Sequence, residues 1–204
     1  MGTENSRDLR EAKLLRREDA VSDEDLVIRA VDGDHWAEDV LFRRFAPEIA
    51  RTVERLLGSS ADADDIVQET FLAALDELSD LRDPRAFRGW VLQIAVRKTH
   101  RRFRRRKLMR LLGLDRSVPD RTLELIAAPG LDADQRAELA LIDARLSRLP
   151  IQLRTAWTLR YVDGRPLGEV ALACSCSLAT AKRWIAKAQQ QIGRNGGSDG
   201  DSPT

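Results

Sequence analysis

Between Arg97 and Arg110 the chain carries nine lysines and arginines and no acid. A guanidinium group binds a phosphate through paired hydrogen bonds, and displaced counterions add a salt-dependent driving force. So many like charges on one helix destabilise it unless a partner neutralises them. At helical spacing Trp90, Gln93, Arg97, Arg101 and Arg104 share one face, opposite Leu92, Ala95, Thr99 and Phe103. An aromatic ring in line with guanidinium groups suits opened nucleic-acid strands, where each stacked base is worth about 1–3 kcal/mol. Trp90 has a second reading, as a core residue among Phe87, Val91 and Ile94 with the arginines as a solubilising end.

A second candidate lies between residues 166 and 191. Leu167, Val170, Ala171 and Cys174 form the buried face of a short helix, Ser175 and Cys176 make a turn, and Ser177 is a good N-cap. Ala181, Ile185, Ala188 and Ile192 form the buried stripe of the helix that follows. Ala179, Thr180, Lys182, Arg183 and Lys187 are left on its outer side. A recognition helix presents its first turns to the major groove in this way. Arg and Lys suit guanine, and Thr suits the thymine methyl or a phosphate. An ordinary helical hairpin is the alternative.

A third segment has the opposite sign. From Ala61 to Asp83 there are eight acids and one base, Arg82. Val67, Phe71, Leu75 and Leu78 make an apolar stripe, and Asp65, Gln68, Glu69 and Asp76 fall on another face. That face is either solvated or a docking surface for a basic protein partner; it repels DNA phosphates. Such segregated blocks predict separate surfaces with separate partners. They also explain why 34 basic and 33 acidic residues, a near-neutral total, do not exclude nucleic acid.

Other chemistries find little support. Two cysteines, Cys174 and Cys176, and two histidines, His35 and His100, are too few for a disulfide framework and lack zinc-ligand spacing. No metal and no cofactor are expected. A nuclease would want converging carboxylates or a nucleophile beside its base. The carboxylates here follow one helix face, so an enzyme is not expected. The first residues lack an apolar core of signal-peptide length, and no apolar run approaches a membrane span. The expectation is a cytoplasmic protein with no membrane insertion.

The elements that must position these residues read as all-α, with two helical domains joined by a flexible linker. Residues 1–21 are polar and expected to be disordered. Ser22 caps a helix running to about Asp32, with Asp23, Glu24 and Asp25 in its first turn and Gly33 after it. A helix over Trp36–Leu57 follows, which Pro47 should bend or interrupt. Helices over about Asp62–Leu78 and from about Arg85 into the basic run complete a domain at 22–109. Residues 110–133, with Gly113, Pro119, Pro129 and Gly130, read as the linker. A domain at 134–192 holds helical pattern from Asp132 to Leu149, a helix at about 151–162, a short helix opened by Pro166, and the last from Ser177 to about Ile192. Residues 193–204 read as a disordered tail.

These pieces, in this order, resemble bacterial RNA polymerase sigma factors of the extracytoplasmic-function class. Three segments carry the likeness. Asp62-Ala63-Asp64-Asp65-Ile66-Val67-Gln68-Glu69-Thr70-Phe71-Leu72 is similar to the family's core-polymerase-binding helix. Phe87-Arg88-Gly89-Trp90-Val91-Leu92-Gln93-Ile94-Ala95, followed by arginines, resembles the segment that melts and reads the minus-ten element. Leu146-Ser147-Arg148-Leu149-Pro150, then the helix-turn-helix, resembles the module that reads the minus-thirty-five element. The resemblance implies that Asp65, Gln68 and Glu69 face the clamp helices of the largest polymerase subunit. It implies that Arg85, Arg88, Trp90, Arg97, Arg101 and Arg104 hold the opened strand at the minus-ten element. It also implies that Ser177, Ala179, Thr180, Lys182, Arg183 and Lys187 serve the minus-thirty-five element. The partners it implies are core RNA polymerase (clamp helices and flap), promoter DNA and an anti-sigma factor. A helix-turn-helix regulator acting on duplex DNA without polymerase is the competing reading. The likeness breaks at Val96, Arg97 and Arg101, where the family usually has Arg, Asn and Asp. Ser175 stands where Gly is usual, and Trp184 where the family often has Arg.

Overall fold

The computed structural model describes residues 20–57, 62–113 and 132–194. Their regular elements are helical, with no strand among the described residues. Helix α1 (Asp23–Val31) starts as its cap predicts: the Ser22 hydroxyl accepts from the Asp25 amide at 3.1 Å, and three acids fill the first turn. Gly33, at φ +85°, ends it. Asp34 then accepts from the Trp36 amide at 3.0 Å and opens α2 (His35–Leu57). Helix α2 runs through Pro47 without interruption, so the interruption, one of the two expected effects, does not occur. Proline removes one amide donor, but Phe45, Ala46 and Ile49 around it are buried, and that packing holds the helix together.

Helix α3 (Ala63–Asp76) is followed by one 3-10 turn at Leu78–Asp80, and a second at Pro84–Ala86 leads into α4 (Phe87–Leu111). Val67, Phe71 and Leu78 are buried and Leu75 half-buried, as the apolar stripe requires; Ile66, Thr70 and Ala74 join them. Buried Thr70 and Thr99 each donate to the carbonyl four residues back, at 2.6 and 2.8 Å, so neither hydroxyl is stranded. Helix α4 continues to Leu111, two residues beyond the predicted domain end; the rest of the predicted linker, 114–131, lies outside the described residues.

Helix α5 (Ala133–Arg148) begins with a capping box between Asp132 and Gln135, at 2.8 and 3.1 Å. Then come α6 (Ile151–Tyr161), α7 (Leu167–Ala173) and α8 (Leu178–Arg194). Helix α8 reaches Arg194, two residues into the predicted tail; residues 195–204, like 1–19, lie outside the described residues. Leu146, Leu149, Leu153 and Ala188 form a small core of their own. Ala156, Leu159, Val170, Ala171, Ala181 and Ile185, however, belong to the same buried cluster as Leu41, Ile49 and Val91. Helix α7 packs on α4, and α6 on α2. The two helical units therefore touch directly through an apolar seam in addition to being joined through the chain.

Candidate nucleic-acid interface

Helices α3 and α4 run antiparallel, and their opposite charges meet. Lys98, Arg102 and Arg106, spaced four apart, project from α4 toward α3. Lys98 Nζ lies 3.7 Å from Glu69, Arg102 lies 2.6 Å from Asp62 and 3.5 Å from Asp65, and Arg106 also pairs with Asp62. The acidic and basic blocks are thus not wholly separate surfaces, which corrects the prediction from their segregation. Segments of opposite charge that pack side by side lower each other's self-repulsion, a gain invisible until the helix pairing is known.

What this pairing leaves over defines two faces. On α4, Arg101, Arg104 and Arg105 are exposed, and Arg97 is 61% exposed with Glu77 at 3.8 Å. Arg101 and Arg105 line a groove of about 290 Å³ with Lys98, Arg102, Ile66 and Glu69. On α3, Gln68 is exposed, and the Asp65 and Glu69 side chains remain 65% and 58% exposed despite their partners. Leu72, 64% exposed, sits on this same face, since 65, 68, 69, 72 and 76 follow helical spacing. Sequence reasoning missed Leu72, although its position off the Val67–Phe71 stripe was a usable signal.

The first half of α4 is less open. Trp90 is half-buried against the core, its ring centroid 6.2 Å from that of Phe87, which agrees with its reading as a packing residue. Arg85 donates to Glu24 at 2.9 Å and Arg88 to Glu48 at 3.1 Å. Burial would raise the Glu48 carboxyl, but hydrogen bonds from Arg88 and Arg165 outweigh it and hold the group below the usual carboxylate range. Gln93 donates to Ser175 Oγ at 3.0 Å, so it does not join Arg97, Arg101 and Arg104 in facing solvent freely. His100 meets Thr155 at 2.8 Å, and burial, with Arg104 nearby, pushes its pKa down to about 4.

In the helix-turn-helix, α7 and α8 are joined by a turn whose Ser175 takes φ +52°, a left-handed conformation reached here without glycine. The Cys176 amide donates to the Ala171 carbonyl at 2.9 Å. Burial, then the neighbouring Cys176, pushes the Cys174 thiol up to about 12, so Cys174 packs as a small apolar residue. Ser177 Oγ accepts from the Thr180 amide at 3.2 Å and donates to the Thr180 hydroxyl at 2.9 Å. Both hydroxyls are thus engaged in capping α8. Ala179, Lys182, Arg183 and Lys187 are exposed along α8, while Ala181, Ile185 and Ala188 are buried and Trp184 is half-buried against the core.

Two family comparisons bear on this arrangement. Residues 41–108 match Sigma-70 region 2, and residues 139–192 match Sigma-70, region 4. The RNA polymerase sigma factor NccH of Alcaligenes xylosoxydans xylosoxydans is 30% identical over 171 residues, covering 83% of this chain and 92% of that protein. The chain is an extracytoplasmic-function sigma factor. As a sigma factor it associates with core RNA polymerase and promoter DNA and directs transcription initiation. The sigma-E factor of Escherichia coli K12, of the same class, is 28% identical over 186 residues, covering 84% of this chain and 93% of the other. In fold, this sigma factor is similar to CnrH solved in complex with the cytosolic domain of CnrY (TM-score 0.60, 24% identity, 87% and 99% of the two chains). It is also similar in fold to the sigma factor RpoE solved with the anti-sigma factor NepR from Bartonella quintana (TM-score 0.57, 18% identity, 81% and 99%).

Proposed function

We propose that α4 and α8 divide promoter recognition between them and that α3 docks the sigma factor on polymerase. In this reading the unit at 22–109 binds polymerase and opens the minus-ten element, the unit at 134–192 reads the minus-thirty-five element, and 110–133 connects them. The division of charge on α4 carries the reading. Lys98, Arg102 and Arg106 are neutralised by α3, whereas Arg101, Arg104 and Arg105 face solvent beside Arg97. That exposed stripe is a phosphate track. Arg85 and Arg88 join it by exchanging Glu24 and Glu48 for the DNA backbone, and half-buried Trp90 supports a base. On α8, Lys182, Arg183 and Lys187 contact the duplex, with Ala179 allowing close approach. Ser177 and Thr180 shape the helix start that points at the groove.

The polymerase-facing surface is Asp65, Gln68 and Glu69, with Leu72 as an apolar anchor ringed by charge. The partner surface is the clamp helices of the largest subunit, and the flap receives the C-terminal unit. The protein works without an active site of its own and in the cytoplasm, where polymerase is. RpoE, a sigma factor of similar fold, was solved with the anti-sigma factor NepR, and this supports an anti-sigma partner here. Co-purification from cells tests that partner, and recovery of only the free or polymerase-bound protein counts against it.

The docking assignment is tested by capture of purified core polymerase. Asp65→Arg with Glu69→Arg should abolish capture while circular dichroism stays helical. Unchanged capture would show that the sigma factor docks on polymerase through a surface other than this face of α3.

A further inference from the structure

The ion pairs between α3 and α4 are of two kinds. At the start of α3, Asp62 makes no capping bond with its side chain; the carboxylate is spent on α4 instead. It accepts from Arg102 at 2.6 Å and also pairs with Arg106, and its side chain is only 15% exposed. Further along α3 the pairs are looser. Lys98 Nζ stands 3.7 Å from Glu69, and Arg102 stands 3.5 Å from Asp65. Exposure across these two pairs is lopsided. The Lys98 and Arg102 side chains are 24% and 29% exposed, against 58% and 65% for Glu69 and Asp65. An incoming protein therefore reaches the acids first, and the cations lie behind them.

The same cations line the groove of about 290 Å³ between the two helices, beside Arg101 and Arg105. Among its described lining residues four are basic, and Glu69 is the acid. A phosphate entering this groove meets a strong positive field and one opposing charge. A carboxylate within 4 Å of an ammonium group cancels most of its pull on a second anion. Glu69 thus holds Lys98 out of the basic stripe that Arg97, Arg101 and Arg104 form. Glu69 and Asp65 are also two of the three residues assigned above to the polymerase surface. One pair of carboxylates is therefore asked to serve two partners, the neighbouring helix and polymerase.

We propose that the groove between α3 and α4 is a phosphate site that polymerase docking switches on: basic groups of polymerase take up Glu69 and Asp65, and Lys98, with Arg102, is released to a backbone phosphate of the opened strand. The inference rests on the assignments of α3 to polymerase and of α4 to opened DNA. The tight, sheltered pairs of Asp62 with Arg102 and Arg106 stay in place, so the helices remain together while the outer pairs exchange. The free chain then grips a strand with Arg101, Arg104 and Arg105, and the docked chain adds Lys98 to them. By linkage, a bound strand strengthens docking by the same factor.

The test uses the full chain and a fluorescein-labelled single-stranded DNA of mixed sequence, titrated over a series of salt concentrations. Asp65→Asn with Glu69→Gln removes both charges and keeps the side-chain shapes, and circular dichroism reads the fold. In the free chain this variant should bind the strand roughly tenfold more tightly at about 50 mM salt, with a salt slope steeper by about 0.7 per phosphate gained. Adding Lys98→Gln should cancel most of that gain, whereas Lys98→Gln alone should change the free chain's affinity less than about twofold. With core polymerase in saturating amount, Lys98→Gln should weaken strand binding about tenfold relative to the wild type. Unchanged affinity and slope in the neutral variant overturn the inference. A general field effect would make Lys98→Gln cost the same with and without the two acids, and that result overturns it too. Equal binding by wild type and Lys98→Gln in the presence of polymerase means that docking does not open the groove. Arg101→Glu tests the α4 assignment separately: unchanged strand binding sinks that assignment, and weakened binding without the Lys98 contrast sinks the groove alone. The capture assay with Asp65→Arg and Glu69→Arg does the same for the docking assignment.

Discussion

At the scale of single residues, the chain keeps several side chains in states that surroundings impose, and these make sharp predictions. His100 titrates near 6.5 when unfolded and near 4 when folded. Between those values the unfolded chain takes up a proton that the native chain does not. Stability is therefore fully present above pH 6.5 and is lost as pH falls toward 4. The expected loss from this group between pH 7 and pH 5 is roughly 2 kcal/mol. Denaturant midpoints at the two pH values check it, and His100→Gln should lose that part of the dependence. Ser175 makes a second case. Ser175→Gly and Ser175→Val both delete the hydroxyl that meets Gln93, so their difference isolates the left-handed backbone. The valine variant should be less stable than the glycine variant by about 1–2 kcal/mol in thermal unfolding, because a β-branched residue is poorly tolerated there. Equal stability would show that the turn relaxes. The Ser175 position was visible in the sequence as a departure from the usual glycine. The state of His100 was not, because its burial depends on Thr155, fifty-five residues away.

At the scale of elements, the helices were legible wherever local signals were strong. The Ser22 cap, the Gly33 stop and the α8 stripe of Ala181, Ile185 and Ala188, with Ile192 half-buried at its end, lie where spacing and capping chemistry put them. Pro47 misled because a local propensity was set against burial that only the tertiary fold supplies. The pairing of α3 with α4 was hidden for the same reason: one-dimensional charge blocks do not say which helices become neighbours. The pairing now limits what charge reversal on α3 can cost. The Lys98–Glu69 pair is partly exposed, so Glu69→Arg should lower stability by under about 1 kcal/mol, as urea unfolding would show. Leu72→Asp should be equally mild for folding yet reduce capture of core polymerase at least tenfold, since an exposed leucine contributes little to the native core. A large stability loss in either variant would mean that the face serves the fold and not a partner.

At the scale of the whole molecule, two helical units, a connecting segment and a C-terminal helix-turn-helix were readable from residue order and turn signals. The contact between the units was not. Asp163 and Gly164 read as a turn, and Glu48, Thr52 and Arg55 as ordinary polar positions on a long helix. Only the folded chain brings them together. Near-neutral total charge also makes sense at this scale: the basic stripes are balanced partly by an acidic helix packed beside one of them and partly by the acids of the seam. The central claim is that this one chain joins core polymerase to promoters through α3, α4 and α8. Run-off transcription with purified core polymerase on a pool of genomic fragments tests it most directly. The wild type should yield discrete transcripts that Asp65→Arg with Glu69→Arg abolishes and Arg101→Glu or Arg183→Glu strongly reduces. Failure of the wild type to stimulate transcription on any fragment, or transcripts that survive reversal of the α3 face, would contradict it.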